Sequence, residues 1–95
     1  MIVLRNVVKT KQGHLDEAIA LFKTELERIW PDVPVRFYRI ETGKLDRFAV
    51  ELEAESLADL ELQMADWMAQ VSSEWYESWK KVTRSGGKTE IWSLA

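Results

Sequence analysis

The sequence predicts an α+β domain in the order β-α-β-β-α-β, an antiparallel sheet with helices on one face. Three observations predict it. Four segments are rich in β-branched and aromatic residues, with apolar side chains alternating where the pattern is clearest. Two longer segments space their apolar residues by three and four. Gly13, Pro31, Pro34, Gly43 and the pair Gly86–Gly87 cut the chain into pieces of strand and helix length.

"IVLRNVVKT", residues 2–10, is β-branched at five of nine positions and reads as the first strand. From His14 to Trp30 the apolar residues Leu15, Ala18, Ile19, Phe22, Leu26 and Ile29 share one helical face. Asp16 and Glu17 occupy its first turn, where the helix dipole favours negative charge. Pro31 and Pro34 prevent its continuation.

"VRFYRIET" and "RFAVELEA" read as a hairpin around "GKLD". An even-length loop sets Arg36 opposite Glu51 and aligns Val35 and Phe37 with Leu52 and Val50. It also brings Glu41 near Asp46. Ser56 and Asp59 form an acidic capping box for the second helix. Its stripe is Leu57, Leu60, Met64, Trp67, Met68 and Val71. Ser72 or Ser73 then re-caps a short helix bearing Trp75, Trp79 and Val82, which Gly86–Gly87 is expected to end. "KTEIWSLA" is the last strand. The pattern is ferredoxin-like, with a four-stranded antiparallel sheet and the second helix broken in two.

Helices cover only one face of such a sheet. Val3, Val7, Tyr38, Ile40 and one face of the last strand fall on the other. That face is too apolar for open solvent, and a second sheet is its natural cover. A chain of 95 residues makes a single domain, 1–95, of modest stability alone. A homodimer joined through the sheet face is therefore expected.

Composition excludes several classes. The net charge is −3, with Lys and Arg interleaved among Asp and Glu, so the basic footprint of a nucleic-acid binder is absent. Without cysteine there is no disulfide, thiolate nucleophile or thiolate metal site. Arg5 and Asn6 interrupt the first apolar run, unlike a signal peptide. No run approaches the roughly 18–20 residues that span a membrane. No membrane partner is expected, and the cytoplasm is the expected compartment.

Five tryptophans stand out. Trp67, Trp75 and Trp79 should point inward from the broken helix. Aromatic stripes at helical spacing are most often core filling. The functional alternative is a wall for a flat ligand. Asn6 shares the strand face of Ile2, Leu4 and Val8. A buried amide needs a partner, either a protein group, water or a ligand oxygen, with the first two favoured. Arg39 shares the face of Val35 and Phe37, where its guanidinium needs a carboxylate of the protein or of a substrate. His14, the only histidine, suits a surface or capping role more than a ligand site. Tyr38 and Tyr76 read as partly buried tips, and Glu51, Glu53 and Glu55 as a solvated face. Gly86–Gly87 lacks the spacing of a dinucleotide fingerprint. No metal site and no cofactor is indicated. Leu62 lies off its helix's apolar face, as a lone surface leucine or a partner contact.

The segments "KQGHLDEAIALF", "VRFYRIETGKLDRFAVELEAESLADLE" and "MADWMAQVSSEWYESWKKV", with a final strand ending in "EIW", resemble the dimeric α/β-barrel superfamily over nearly the whole chain. The chain is similar to its uncharacterised members and to its NIPSNAP-like and antibiotic-biosynthesis-monooxygenase-like branches. The resemblance implies two sheets closed into a barrel across a dimer interface, and a pocket between each sheet and its helices. Some monooxygenases of the superfamily hold an aromatic substrate with an Asn, a Trp and sometimes a His or Arg. No local motif fixes that correspondence here, so no catalytic role passes to a residue of this chain.

Three functions follow. The first is binding of a small, weakly acidic aromatic molecule, keyed by Asn6 and Arg39 and walled by tryptophans. The second is cofactor-independent monooxygenation of such a compound, with Asn6 polarising its oxygen. The third is a structural dimerisation module with a filled core. A ligand pocket needs roughly a few hundred Å³, and the first two require one.

Overall fold

The computed structural model covers residues 1–95. It orders β1 (Ile2–Thr10), α1 (Leu15–Ile29), β2 (Val35–Arg39), β3 (Arg47–Ala54), α2 (Leu57–Gln70), α3 (Ser73–Val82) and β4 (Thr83–Ser93). The four strands form one sheet in the order β2-β3-β1-β4, so β2 and β4 are its edges. All three pairings are antiparallel. The ferredoxin-like α+β arrangement is the one the periodicities predict.

The hairpin register follows from alternation. Val35 pairs with Leu52, Arg36 with Glu51 and Phe37 with Val50. Any slip by one residue would turn Val35 and Phe37 to the wrong face. Strand β2 ends at Arg39, three residues short of the expected Thr42, so Glu41 and Asp46 are never paired. Asp46 instead takes a left-handed backbone (φ 61), and its carbonyl accepts from the Thr10 amide at 2.8 Å.

The core lies between the helices and the inward face of β1 and β3. One cluster joins Val8, Phe48 and Val50 to Ala18, Ile19 and Val82. A second joins Leu4, Leu52 and Ala54 to Leu60. Burying Phe48, 2% exposed, contributes about 1.5–3 kcal/mol.

Helix α2 caps as expected, with Ser56 Oγ accepting from the Asp59 amide at 3.1 Å. Its apolar stripe is only partly buried. Leu60 is sealed, but Leu57 and Met64 are exposed and Met68 is 72% exposed. The helix meets the sheet along one narrow line, and nothing within the chain covers its flank. At the break, Ser72 Oγ accepts from the Trp75 amide at 3.1 Å and starts α3.

The end of α3 corrects an expectation. The helix stops at Val82, and β4 begins at once at Thr83. Gly86–Gly87 lies inside the strand. Val7 pairs with Lys88 but Lys9 pairs with Arg84, so Ser85, Gly86 and Gly87 bulge opposite Val8. Gly86 has φ +98, and a Cβ on Gly87 would fall 2.3 Å from the Val7 carbonyl oxygen. The glycines allow a close backbone approach there.

Candidate functional site

The site begins with Phe22 on α1. Its ring meets Phe37 and Phe48 edge-on from the sheet, and Trp79 edge-on at 5.2 Å from α3. Trp67 stacks on it at 5.6 Å from α2. Trp75 and Trp79 stack on each other at 5.0 Å, and the Trp75 indole N–H donates to the Leu21 carbonyl at 2.9 Å. These two tryptophans therefore fill the α3 side of the core.

A cavity of about 100 Å³ remains on the α2 side, between helices and sheet. Ten residues line it and nine are hydrophobic. The sheet supplies Leu4, Val50 and Asn6, and the helical side supplies Phe22, Trp30 and Trp67. Met64, also in the lining, is partly exposed, so the cavity reaches solvent past it. Of the three expected wall tryptophans only Trp67 faces this space. Trp30, at the C-cap of α1, joins it, a residue sequence reasoning passed over. At about 100 Å³ the space falls short of the few hundred Å³ that both ligand readings require, so a ligand of the expected size does not fit and a single small ring is the most it admits.

Asn6 is the one polar residue of the lining. Its Oδ1 accepts from the Thr89 hydroxyl of β4 at 3.3 Å, and Nδ2 donates to no protein group. Half of the amide is thus satisfied across the β1–β4 pair, in which Asn6 stands opposite Thr89.

Arg39 ends β2, paired with Phe48, outside the lining. Its alternation matches Val35 and Phe37, yet its guanidinium is half exposed and donates to Asp16 at 2.6 Å. The partner expected of it is therefore a carboxylate of α1, and Arg39 does not line the cavity. His14 precedes α1 and forms no side-chain cap; Nδ1 lies 2.9 Å from Glu17 Oε2 in an exposed pair. No group of three metal-ligating side chains gathers around it or elsewhere.

Two polar contacts frame the cavity. The Trp30 indole N–H donates to Asp66 Oδ2 at 2.7 Å, and Gln70 donates to Oδ1 at 2.7 Å. These two bonds, Trp30's first, hold the Asp66 carboxyl below its ordinary range. Behind it, Glu25 accepts from Arg28 at 2.6 Å and from the Ser72 amide at 3.3 Å. Arg28 in turn donates to the Gln70 carbonyl at 2.9 Å. The α1 pair thus clamps the α2–α3 joint from both sides. The Arg28 bond, with the Ser72 amide's help, lowers the Glu25 pKa against the opposing effect of burial. Sequence reasoning missed Glu25. Its signal was a carboxylate three residues after Phe22 and four before Ile29, on the apolar stripe.

The opposite sheet face carries Arg5, Glu51 and Tyr38 at its centre. Arg5 donates to Glu51 at 3.1 Å, the Tyr38 hydroxyl donates to the same carboxylate at 3.1 Å, and the Arg5 guanidinium lies 5.7 Å from the Tyr38 ring. Glu51 is therefore a paired group with a side chain 16% exposed, not a solvated one. Around this polar centre stand Val3 and Trp92 at one end, and Val7 and Ala49 at the other. Trp92 is 58% exposed. Tyr76 and Leu62 also lie at the surface. No helix is long and apolar enough to cross a membrane.

No family model matches the chain, and no curated protein matches it. Solved structures do. An uncharacterised NIPSNAP domain protein from Burkholderia xenovorans superposes with a TM-score of 0.81 at 14% identity, covering 100% of this chain and 95% of its own. A NIPSNAP family protein from Agrobacterium tumefaciens gives 0.77 at 14% identity, with 99% and 85% covered. An antibiotic biosynthesis monooxygenase gives 0.71 at 11% identity, with 100% and 99% covered. At these identities the likeness is one of fold, the fold of the branches that the sequence resembles.

Proposed function

We propose that the chain forms a homodimeric α/β barrel, one domain per copy, and binds a small molecule between sheet and helices. One observation carries the binding reading: the 100 Å³ cavity, whose apolar lining holds a single amide with an unused donor. Pockets of this kind pair apolar walls with a few placed polar groups. Asn6 and Trp67 are the ligand-contacting residues of the reading, with Trp30 beside them. Trp75, Trp79, Arg39 and His14 act at most from outside the lining. A cytoplasmic setting fits the absence of cysteine.

The dimer reading is supported by the open sheet face, above all by exposed Trp92 at one apolar end and exposed Tyr38 at the centre. Covering it with a second sheet would remove both from water.

The binding reading is tested with xenon under pressure, which enters dry apolar cavities. The NMR shifts of the Trp67 indole N–H and the Asn6 side-chain amide should move together and saturate. Shifts scattered over the surface without saturation would refute it.

Monooxygenation of a weakly acidic aromatic compound is the less supported reading, because the space is small and admits no fused rings without displacement of Trp67 or Trp30. Turnover of a quinol or an anthrone without added metal or flavin would reverse that ranking. The filled-core dimerisation module gains from the Phe22 cluster, which leaves the α3 side solid.

A further inference from the structure

We infer that the cavity selects an uncharged, single-ring molecule that presents an oxygen acceptor to Asn6, an inference that rests on the binding reading above. Three independent features of the lining lead to it.

Size comes first. An apolar cavity of about 150 Å³ lined by aliphatic and aromatic side chains takes up benzene. At about 100 Å³ this one is smaller, so a single ring is its upper limit and any larger substituent must point out past Met64. A second fused ring would overlap Trp30 or Trp67, which lie 5.8 Å apart by ring centroids and are tied to α1 and α2.

Charge comes second. No Lys, Arg, His, Asp or Glu lines the space. An ionised ligand would lose its hydration and meet no counter-charge, a cost of several kcal/mol per ion. Arg39, the cation that would have favoured an acid, is engaged by Asp16 away from the lining.

Hydrogen-bond polarity comes third. Asn6 Oδ1 is held by Thr89, so the amide presents Nδ2, which can only donate. Asn6 sits on a strand paired on both sides, opposite Val50 and Thr89, so its backbone is held in place beside the space. A ligand group facing it must accept.

Four probes separate these requirements: phenol, benzene, benzoate and 2-naphthol. Binding is followed by calorimetry on the full chain, and located by the NMR shifts of the Trp67 indole and the Asn6 amide. Phenol should bind about fivefold tighter than benzene, the worth of one hydrogen bond. Benzoate and 2-naphthol should bind at least about tenfold more weakly than phenol. In Asn6→Leu, phenol and benzene should bind alike. Benzoate or 2-naphthol matching phenol at this location, or a phenol preference that survives Asn6→Leu, would overturn the ligand class and leave the binding reading standing. If neither the four probes nor xenon moves the two reporter signals, both fall. The comparison among probes on the unmodified protein decides the matter even where Asn6→Leu does not fold.

Discussion

Glu25 shows how much a single misplaced-looking residue can organise. It is 5% exposed on an otherwise apolar stripe, and it touches Arg28 and the Ser72 amide. A charged group is tolerated there because every contact it makes is a charge-assisted bond. Glu25→Gln should destabilise the fold by about 1–3 kcal/mol at neutral pH, by urea unfolding. The pH dependence has a definite sign. Its native pKa is lowered, so its contribution is present above the unfolded carboxylate pKa, near 4.3, and is lost as pH falls through the native value. The gap between wild type and Glu25→Gln should therefore be constant from pH 7 to about 5 and close in strong acid. A gap that widens on acidification would contradict the assignment. Other residues were legible in advance. Ser56 and Ser72 announce their caps by local spacing alone. Asn6 was legible as an amide on the inward strand face, though it is only half-buried, and its Thr89 partner was not legible, because 83 residues separate them. Arg39 was placed on the correct face, yet only the tertiary position of α1 brings Asp16 to it.

Among elements, β4 departs most from its sequence reading. Helices commonly end at a glycine, and Gly86–Gly87 looked like such an end. The helix needs no glycine to stop, because Thr83 continues straight into strand while its amide closes on the Trp79 carbonyl. The glycines serve the neighbouring strand instead, where the Val7 carbonyl comes too near for a side chain. Gly87→Ala should cost about 1–3 kcal/mol, because a backbone must move to admit the methyl. Amide exchange at Lys88 and Lys9 should quicken in the same variant. An unchanged thermal midpoint would show that the bulge relaxes freely. The β2–β3 register was legible because alternation on two strands allows only one, but the end of β2 was not, since the strand stops at Arg39 and leaves a longer loop than expected. The stripe of α2 was legible as helix but not as burial. Period alone cannot say whether a neighbour arrives, and none reaches Met68.

For the whole molecule, the sheet has one face under helices and one under nothing. The uncovered face is not uniformly greasy, since Arg5, Glu51 and Tyr38 form a satisfied polar centre between apolar ends. A covering copy would keep those bonds and bury Trp92 and Tyr38. Sedimentation equilibrium should therefore report the mass of two 11.1 kDa chains at micromolar concentration. Trp92→Glu should shift it to one chain while leaving the far-ultraviolet spectrum unchanged, because Trp92 makes little contact within its own copy. A single-chain mass for the wild type would end the barrel proposal, though not the cavity within each copy.

The outermost strands carry a cost of their own. At β2 the danger is blunted, since it is five residues long and bears Arg36 and Arg39. At β4 the bulge and Lys88 guard the first half, but the stretch after Lys88 leaves vacant amides and carbonyls, with Ile91 and Trp92 both more than half bare. Such a border templates further strands. When this protein ages in concentrated stock, fibrils should seed there first, and a lysine at Ile91 should delay them.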